Sequence, residues 1–310
     1  MDDLKKEVQN LLKYYDIGTL ISIKTDNIGE MSKILFITTD QGKYVIKYRS
    51  HEETKDTILE LEIMDYIHHK GLPIQRIITN SQGKAITKFN SEIVFILEFI
   101  KGKNPSDMNK ALILECARKL ALLDKALLNK KDLMCPEWPL FNEGVERVFA
   151  EENELLSENK SLYYEFKNIK LNKLRKSIIH GDYRSSNLIV RNGKLTGIID
   201  FGDSHYDFLI LDLANAMTGC LLSQNNKFQI SLLKDVMNAY EEVLKLTLEE
   251  KQALYYFFKL RLILIINTYM IRLRDNLLDK NICRSSIKNL QAFLESTKEI
   301  DYNEFFNEII

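Results

Sequence analysis

Apolar residues recur every three to four positions through Leu4, Val8, Leu11, Leu12 and Tyr15, which predicts a short helix over 4–15 that stops at Gly18. The period then changes. Ile34, Phe36 and Thr38 share one parity, Asp40-Gln41-Gly42-Lys43 makes a turn, and Tyr44-Val45-Ile46-Lys47-Tyr48 is a compact β-rich run, so 20–49 reads as a meander of two or three strands. Helical spacing returns over 52–70 through Ile58, Leu61, Met64 and Ile67, and Gly71-Leu72-Pro73 ends it. Two more strands follow near 84–88 and 93–99, and Ile93-Val94-Phe95-Ile96-Leu97 is apolar enough for the centre of a sheet. Past a turn-prone stretch at 98–105 the spacing is helical over 107–128, 141–166, 207–222, 229–244, 248–278 and 284–297. The exception is 177–200, where Ile178-Ile179, Leu188-Ile189-Val190 and Gly197-Ile198-Ile199 are short β-like runs between polar turns.

At 310 residues the chain has room for two lobes of ~100–200 residues each. The pattern divides it into an N-terminal lobe at 1–97, a hinge at 98–103 and a helical lobe at 104–310. Lys and Arg total 43 against 44 Asp and Glu, so no bulk field exists to gather nucleic acid or anionic lipid, and neither partner is expected. Cys116, Cys135, Cys220 and Cys283 are scattered, without a C-x-x-C pair or a His at metal-ligand spacing, and are expected to be buried free thiols. The N-terminus carries no signal-peptide pattern, and the most apolar segment, Leu260 to Ile271, is interrupted by Arg261 and Asn267 and reads as a core helix. A cytoplasmic protein, monomeric or homodimeric, is expected.

The island at 177–200 needs a reason, and its polar residues supply one. His180-Gly181-Asp182-Tyr183-Arg184-Ser185-Ser186-Asn187 is followed, thirteen residues after Asn187, by Asp200-Phe201-Gly202-Asp203. Phosphoryl transfer from a nucleotide needs a carboxylate to orient and deprotonate the attacking hydroxyl, oxygen ligands for magnesium, and cationic cover for the phosphates. Asp182 suits the first task, Asn187 with Asp200 the second, and Arg184 or a distant lysine the third.

H-G-D-x-x-x-x-N followed by I-D-F-G-D resembles the catalytic and metal loops of kinase-like proteins, and its glycine after His is similar to the aminoglycoside phosphotransferase and choline kinase superfamily. The opening Tyr15-Asp16-Ile17-Gly18 followed by strands resembles homoserine-kinase-like members, and the likeness spans nearly the whole chain. The resemblance implies an α+β, bilobal protein-kinase-like fold with a small antiparallel-sheet N-lobe and a larger, mostly helical C-lobe. It implies Asp182 as catalytic base, Asn187 and Asp200 as Mg2+ ligands, His180 as a buried support, and Asp212 as a brace for the loop. Arg184 stands where protein kinases hold a lysine aimed at the transferred phosphate. Lys47 takes the place of the strand lysine on the α- and β-phosphates, with Glu60, or Glu62 if the helix register differs, as its ion-pair partner. Glu98 and Ile100 would offer a backbone carbonyl and amide to adenine, contacts that admit GTP as well as ATP. The phosphate-covering turn at 27–32 has one glycine where many relatives have two, leaving Ser32 as its hydrogen-bonding side chain.

The expected activity is therefore ATP-dependent transfer of the γ-phosphate to a hydroxyl of a small molecule, an amino-alcohol or hydroxy-amino acid such as choline or homoserine. An antibiotic kinase and a non-catalytic kinase-like protein are the alternatives. A polycationic antibiotic would use Asp203, Asp207, Glu299, Asp301, Glu304 and Glu308; choline an aromatic cage from 255–258; an amino acid's carboxylate Arg261 or Arg272. His205 and Tyr206 are candidates for reaching the acceptor, and Trp138 for anchoring a loop or walling the substrate.

Overall fold

The computed structural model describes residues 2–25, 33–128, 130, 133, 140–151, 153–224 and 227–310. Ser32, Cys135 and Trp138 lie outside them. Internal contacts divide the chain into Met1–Lys103 with Thr196–Gly202, and Asn104–Leu195 with Asp203–Ile310.

The first unit runs α1 (Asp2–Leu12), β1 (Leu20–Thr25), β2 (Ile34–Thr39), β3 (Lys43–Ser50), α2 (Thr54–His69), β4 (Ile77–Ile78), β5 (Thr87–Phe89) and β6 (Glu92–Glu98). The six strands form one antiparallel sheet in the order β1-β2-β3-β6-β4, with β5 also on β6. Ile93 through Leu97 are fully buried, as a central strand requires. On one face Tyr44, Ile46 and Tyr48 of β3 join Leu35, Ile37, Val94 and Ile96 in a core closed by Val8, Leu11 and Leu12 of α1. Side chains alternate along a strand, so Lys47 emerges on the other face. Its backbone is pinned from both sides, paired with Ile34 of β2 and Phe95 of β6.

The segment 196–202, which the sequence pattern groups with the C-terminal lobe, makes its internal contacts with the sheet-bearing unit. Ile198 donates its N–H to the Pro73 carbonyl at 2.7 Å and forms a parallel bridge with Ile74, and Asp200 reaches Lys47. These pairings tie the segment to the sheet-bearing unit.

The second unit contains α3 (Lys110–Leu127), α4 (Phe141–Phe149), α5 (Glu154–Glu158), α6 (Lys160–Phe166), β7 (Lys176–Ile179), β8 (Leu188–Arg191) and the start of β9 (Lys194–Ile198). It resumes with β10 (His205–Phe208), α7 (Ile210–Ala216), the two-residue strands β11 (Ser223–Gln224) and β12 (Lys227–Phe228), α8 (Ile230–Glu241), α9 (Leu248–Arg274), α10 (Lys280–Glu295) and α11 (Tyr302–Ile309). The helix expected over 141–166 is three helices. Asn153 accepts the Leu156 N–H and restarts the chain as α5, because a short amide side chain offers the backbone a cap in place of helix continuation. The helix expected over 207–222 begins instead as β10, antiparallel to β7 with Asp207 opposite Ser177, and α7 then passes into a π-helical turn at Met217–Leu221. α11 was not signalled by the spacing.

α9 is long and apolar enough to cross a membrane by length and composition, but 67% of that stretch is buried inside the protein, so it is a core helix. Its Phe257 stacks on Phe141 at 4.7 Å and meets Phe166 and Phe208 edge-on at 5.7 and 5.5 Å. Cys116, Cys220 and Cys283 are buried free thiols.

Phe257 thus joins α4, α6 and β10 to α9. Phe257→Ala should lower the unfolding free energy by about 3–5 kcal/mol in urea titrations, with Phe257→Leu costing distinctly less.

Candidate active site

The loop at 180–187 hangs from α7. Asp212, fully buried in the first turn of that helix, accepts the His180 N–H at 2.5 Å and the Gly181 N–H at 2.8 Å. One turn further on, Asn215 Nδ2 donates to the Gly181 carbonyl at 2.8 Å. Gly181 has φ +80°, and a Cβ there would stand 2.3 Å from the Asp203 carbonyl oxygen, so only glycine fits. The buried His180 ring accepts the Asp182 N–H at 3.3 Å through Nδ1 and meets Tyr183 edge-on. Tyr183 in turn donates its hydroxyl to the Cys116 carbonyl at 3.0 Å.

A short 3-10 turn over Ser185–Asn187 explains the five-residue spacing between Asp182 and Asn187. It folds Asn187 back so that Nδ2 donates to Asp182 Oδ2 at 2.8 Å and to the Asp182 carbonyl at 2.9 Å, which leaves Oδ1 as the amide's lone-pair atom. Asn104 Nδ2 clamps the end of the turn by donating to the Ser186 and Leu188 carbonyls at 2.5 and 2.9 Å. Arg184 Nε lies 2.9 Å from Asp182 Oδ2, so the arginine is engaged with the candidate base itself. Burial raises the pKa of Asp182 above the ordinary carboxylate value, with Arg184 opposing, Asp203 adding, and His180 and Arg261 opposing.

Beside this loop a cavity of 240 Å³ opens, lined by Gly181, Asp203, His205, Asn215 and Arg261 with Phe141 and Leu264 among its apolar walls. Arg261 Nε donates to Asn215 Oδ1 at 2.6 Å, so the same asparagine that holds Gly181 fixes the guanidinium. Burial lowers the pKa of Arg261, and Asp182 and then Asp203 act against it. The Asp203 side chain is exposed, and its carbonyl lies 2.8 Å from His205 Nδ1.

The first unit carries a second cluster. Lys47 Nζ lies 3.4 Å from Glu60 Oε1 and 3.0 Å from Asp200 Oδ1, with only 7% of its side chain exposed. Burial alone would lower its pKa, but Glu60 and then Asp200 outweigh that and hold it above the usual lysine value. Glu60 is buried and also meets Arg49 at 3.7 Å, whereas Glu62 is exposed, so Glu60 is the partner. Asp200 sits at φ 68°, a left-handed conformation that costs a non-glycine residue about 1–2 kcal/mol, and half its side chain stays exposed. At the end of β6, Gln75 Nε2 donates to the Glu98 carbonyl at 3.2 Å, and the Glu98 carboxylate pairs with Arg76. The Ile100 N–H has no hydrogen-bond partner among the described residues.

Asp207 lines the cavity but spends its carboxylate on the Phe141 and Phe208 N–H groups at 2.7 and 2.6 Å. Other candidates lie elsewhere. Glu299, Asp301, Glu304 and Glu308 do not line the cavity, and Asp301 caps α11. Tyr255 and Tyr256 are absent from the cavity lining, and the Tyr255 ring already faces Lys259 Nζ at 4.5 Å, so they form no choline cage there. Arg272 lies over Tyr269. Asn104, Asn215 and Arg49 were missed, although the three-residue step from Asp212 to Asn215 puts both on one helix face.

Two outcomes follow from this geometry. Gly181→Ala should cost the loop its geometry and reduce turnover by more than tenfold, a near-attack effect, while far-UV circular dichroism stays native. Arg184→Ala should move the acidic limb of the kcat/KM profile to higher pH, because burial then raises Asp182 with less opposition; a limb that stays or moves down would contradict the pairing.

Among known proteins, residues 23–253 match the model of the phosphotransferase enzyme family. Homoserine kinase of Methylobacillus flagellatus is 23% identical over 252 residues, 80% of this chain and 79% of the relative. That of Mesorhizobium japonicum is 26% identical over 263 residues, 82% and 81% of the two chains. The solved amicoumacin kinase hAmiN, in complex with AMP-PNP, Ca2+ and Ami, superposes with TM-score 0.73 at 14% identity over 98% of this chain and 99% of its own. Spectinomycin phosphotransferase APH(9)-Ia, in complex with ADP and spectinomycin, gives TM-score 0.61 at 16% identity over 98% and 97%. Likeness at these identities establishes the fold, a kinase-like antiparallel sheet followed by a mostly helical region, and the family match extends across most of both units: the chain belongs to the phosphotransferase enzyme family.

Proposed function

We propose that this enzyme transfers the γ-phosphate of ATP to the hydroxyl of a small amino-bearing metabolite, with a hydroxy-amino acid of homoserine type as the favoured acceptor. The carrying observation is the Asp182 carboxylate, clipped by Asn187 and Arg184 on a loop braced by Asp212 and Asn215. Asp182 takes the proton as the acceptor oxygen bonds to the γ-phosphorus and the bond to the β-phosphate oxygen breaks. Positioning and charge neutralisation supply most of the rate.

Lys47, fixed by Glu60, serves the α- and β-phosphates, and the Glu98 carbonyl and Ile100 amide serve the purine, which leaves GTP as a second donor. Among the described residues no group of three or more His, Cys, Asp or Glu side chains is gathered to hold a metal ion. The donors that remain, Asn187 Oδ1 and the Asp200 carboxylate, are hard oxygens in the number Mg2+ takes from a protein when nucleotide and water complete its shell. When bound, Mg2+ would neutralise phosphate charge. Arg184, 2.9 Å from Asp182 Oδ2, would follow the transferred phosphate.

The acceptor cavity carries both signs, with the Asp203 carboxylate facing an ammonium and the buried Arg261 facing a carboxylate. That mixture supports a zwitterion over choline, for which the aromatic cage is missing from the lining. It also disfavours a polycationic antibiotic, since the C-terminal carboxylates take no part in it. The homoserine kinase relatives point the same way. We assign its work to the cytoplasm, as a monomer or homodimer.

Asp182→Asn should abolish phosphate transfer while nucleotide binding, followed by thermal shift, persists. In an ADP-release panel, homoserine-like acceptors should exceed choline, ethanolamine and aminoglycosides. Arg261→Met should lower kcat/KM for the amino acid by roughly 10–100-fold, the worth of a charged hydrogen bond, and affect the matching amino-alcohol less. Turnover of aminoglycosides alone would overturn the acceptor assignment.

A further inference from the structure

We propose that Asp124 is a positioning residue of the catalytic loop: it stands beneath that loop as a neutral carboxylic acid and donates its proton to Asp212, the anion from which the His180 and Gly181 amides hang. The inference rests on Asp182 being the base, because the loop that carries Asp182 is what is positioned.

α3 packs against α7, and the Asp124 and Asp212 side chains are both wholly shielded from water. Asp124 Oδ2 accepts the Tyr240 hydroxyl at 2.5 Å, whereas Oδ1 is buried with no donor among the described residues. The Asp212 carboxyl lies within hydrogen-bonding reach of the Asp124 carboxyl. Two carboxylates offer each other only acceptors, so a hydrogen bond between them requires a proton. That proton resides on Asp124. Asp212 receives two peptide N–H groups, which favour an anion, while Asp124 receives a single neutral phenol.

The surroundings supply no competing charge at bonding distance. Arg175 acts on Asp124 from the side, but its guanidinium is committed to Glu250 at 2.7 and 2.6 Å and to the Lys245 carbonyl. Tyr183 and Tyr240 are held neutral by burial, as are the thiols of Cys116 and Cys220. His205 and Arg261 act from the cavity side, and each of them senses Asp212. No lysine or arginine donates a hydrogen bond to either carboxyl among the described residues. Burial first, and Asp212 second, push the Asp124 carboxyl well above its ordinary range.

The test separates a proton donor from a mere space-filler and separates both from the kinase activity. Asp124→Asn keeps a neutral N–H donor and should retain kcat within about threefold, whereas Asp124→Ala should lose about tenfold in kcat with little change in the nucleotide KM. Infrared difference spectra of 13C-aspartate protein at neutral pH should show a protonated-carboxyl band that Asp124→Asn removes. The native state keeps a proton that the unfolded chain releases. Wild-type stability should therefore fall, relative to Asp124→Asn, as pH rises from the ordinary carboxyl range toward the raised one, with a slope of about one proton. Absence of both band and slope would overturn the proposal whatever the enzyme phosphorylates. Equal loss of kcat in the Asn and Ala variants would overturn the positioning role even with the band present. A wild type that shows the band but phosphorylates no acceptor would instead sink the assignment of Asp182.

Discussion

A buried carboxylate with two peptide N–H donors fixes the reactive part of this molecule. Asp212 grips the amides of His180 and Gly181, and because those amides are consecutive, the two peptide planes leading into Gly181 are both held. The other features of the loop follow from that constraint. The chain must turn sharply with φ +80°, so the residue is glycine, and the space a side chain would need belongs to the Asp203 carbonyl. Asn215 takes the carbonyl of the same glycine and passes the constraint on to Arg261, so the cavity wall and the Asp182 loop are registered to one helix. A buried polar group is tolerable only when its hydrogen bonds are made, and both of these are.

The part of the site legible in the sequence was the part built locally. Asp182 and Asn187 are joined by one 3-10 turn, and their spacing is a direct record of it. Lys47 was legible because a strand alternates its faces, and its partner was legible to within a half-turn, since either Glu60 or Glu62 of an amphipathic helix could face the sheet. Burial selects Glu60. Asp207 looked like a candidate for cationic ligands, but composition cannot reveal that a carboxylate is already spent on two backbone amides. Asn104 and Asp124 act across about eighty residues of chain on partners with which they share no pattern, and no periodicity reports such a pair. The helix breaks at 153 and 209 were hidden because apolar spacing continues through them while the backbone changes hydrogen-bond partners.

Near-neutral composition also conceals local asymmetry. The first unit concentrates one buried lysine between two carboxylates, and the cavity of the second sets a buried arginine near an exposed aspartate. Each is an ion pattern held by burial and hydrogen bonds rather than by surface charge, so salt screens it weakly. Family membership accounts for the phosphoryl chemistry, whereas a fold by itself does not name the acceptor.

The attachment of Thr196–Gly202 to the sheet-bearing unit bears on how the protein is made. Asp200 and Lys47 are separated by 153 positions, so a ribosome that has finished every strand of the large sheet has not yet synthesised the segment that completes that unit. During that interval the buried lysine holds only Glu60, and the loop closed at last is long, although its entropic cost grows only logarithmically with length. Domains commonly mature in the order of synthesis. Here the N-terminal unit finishes late, after α3 and the 180–187 loop have emerged, and the nascent chain acquires the Lys47–Asp200 pair only then.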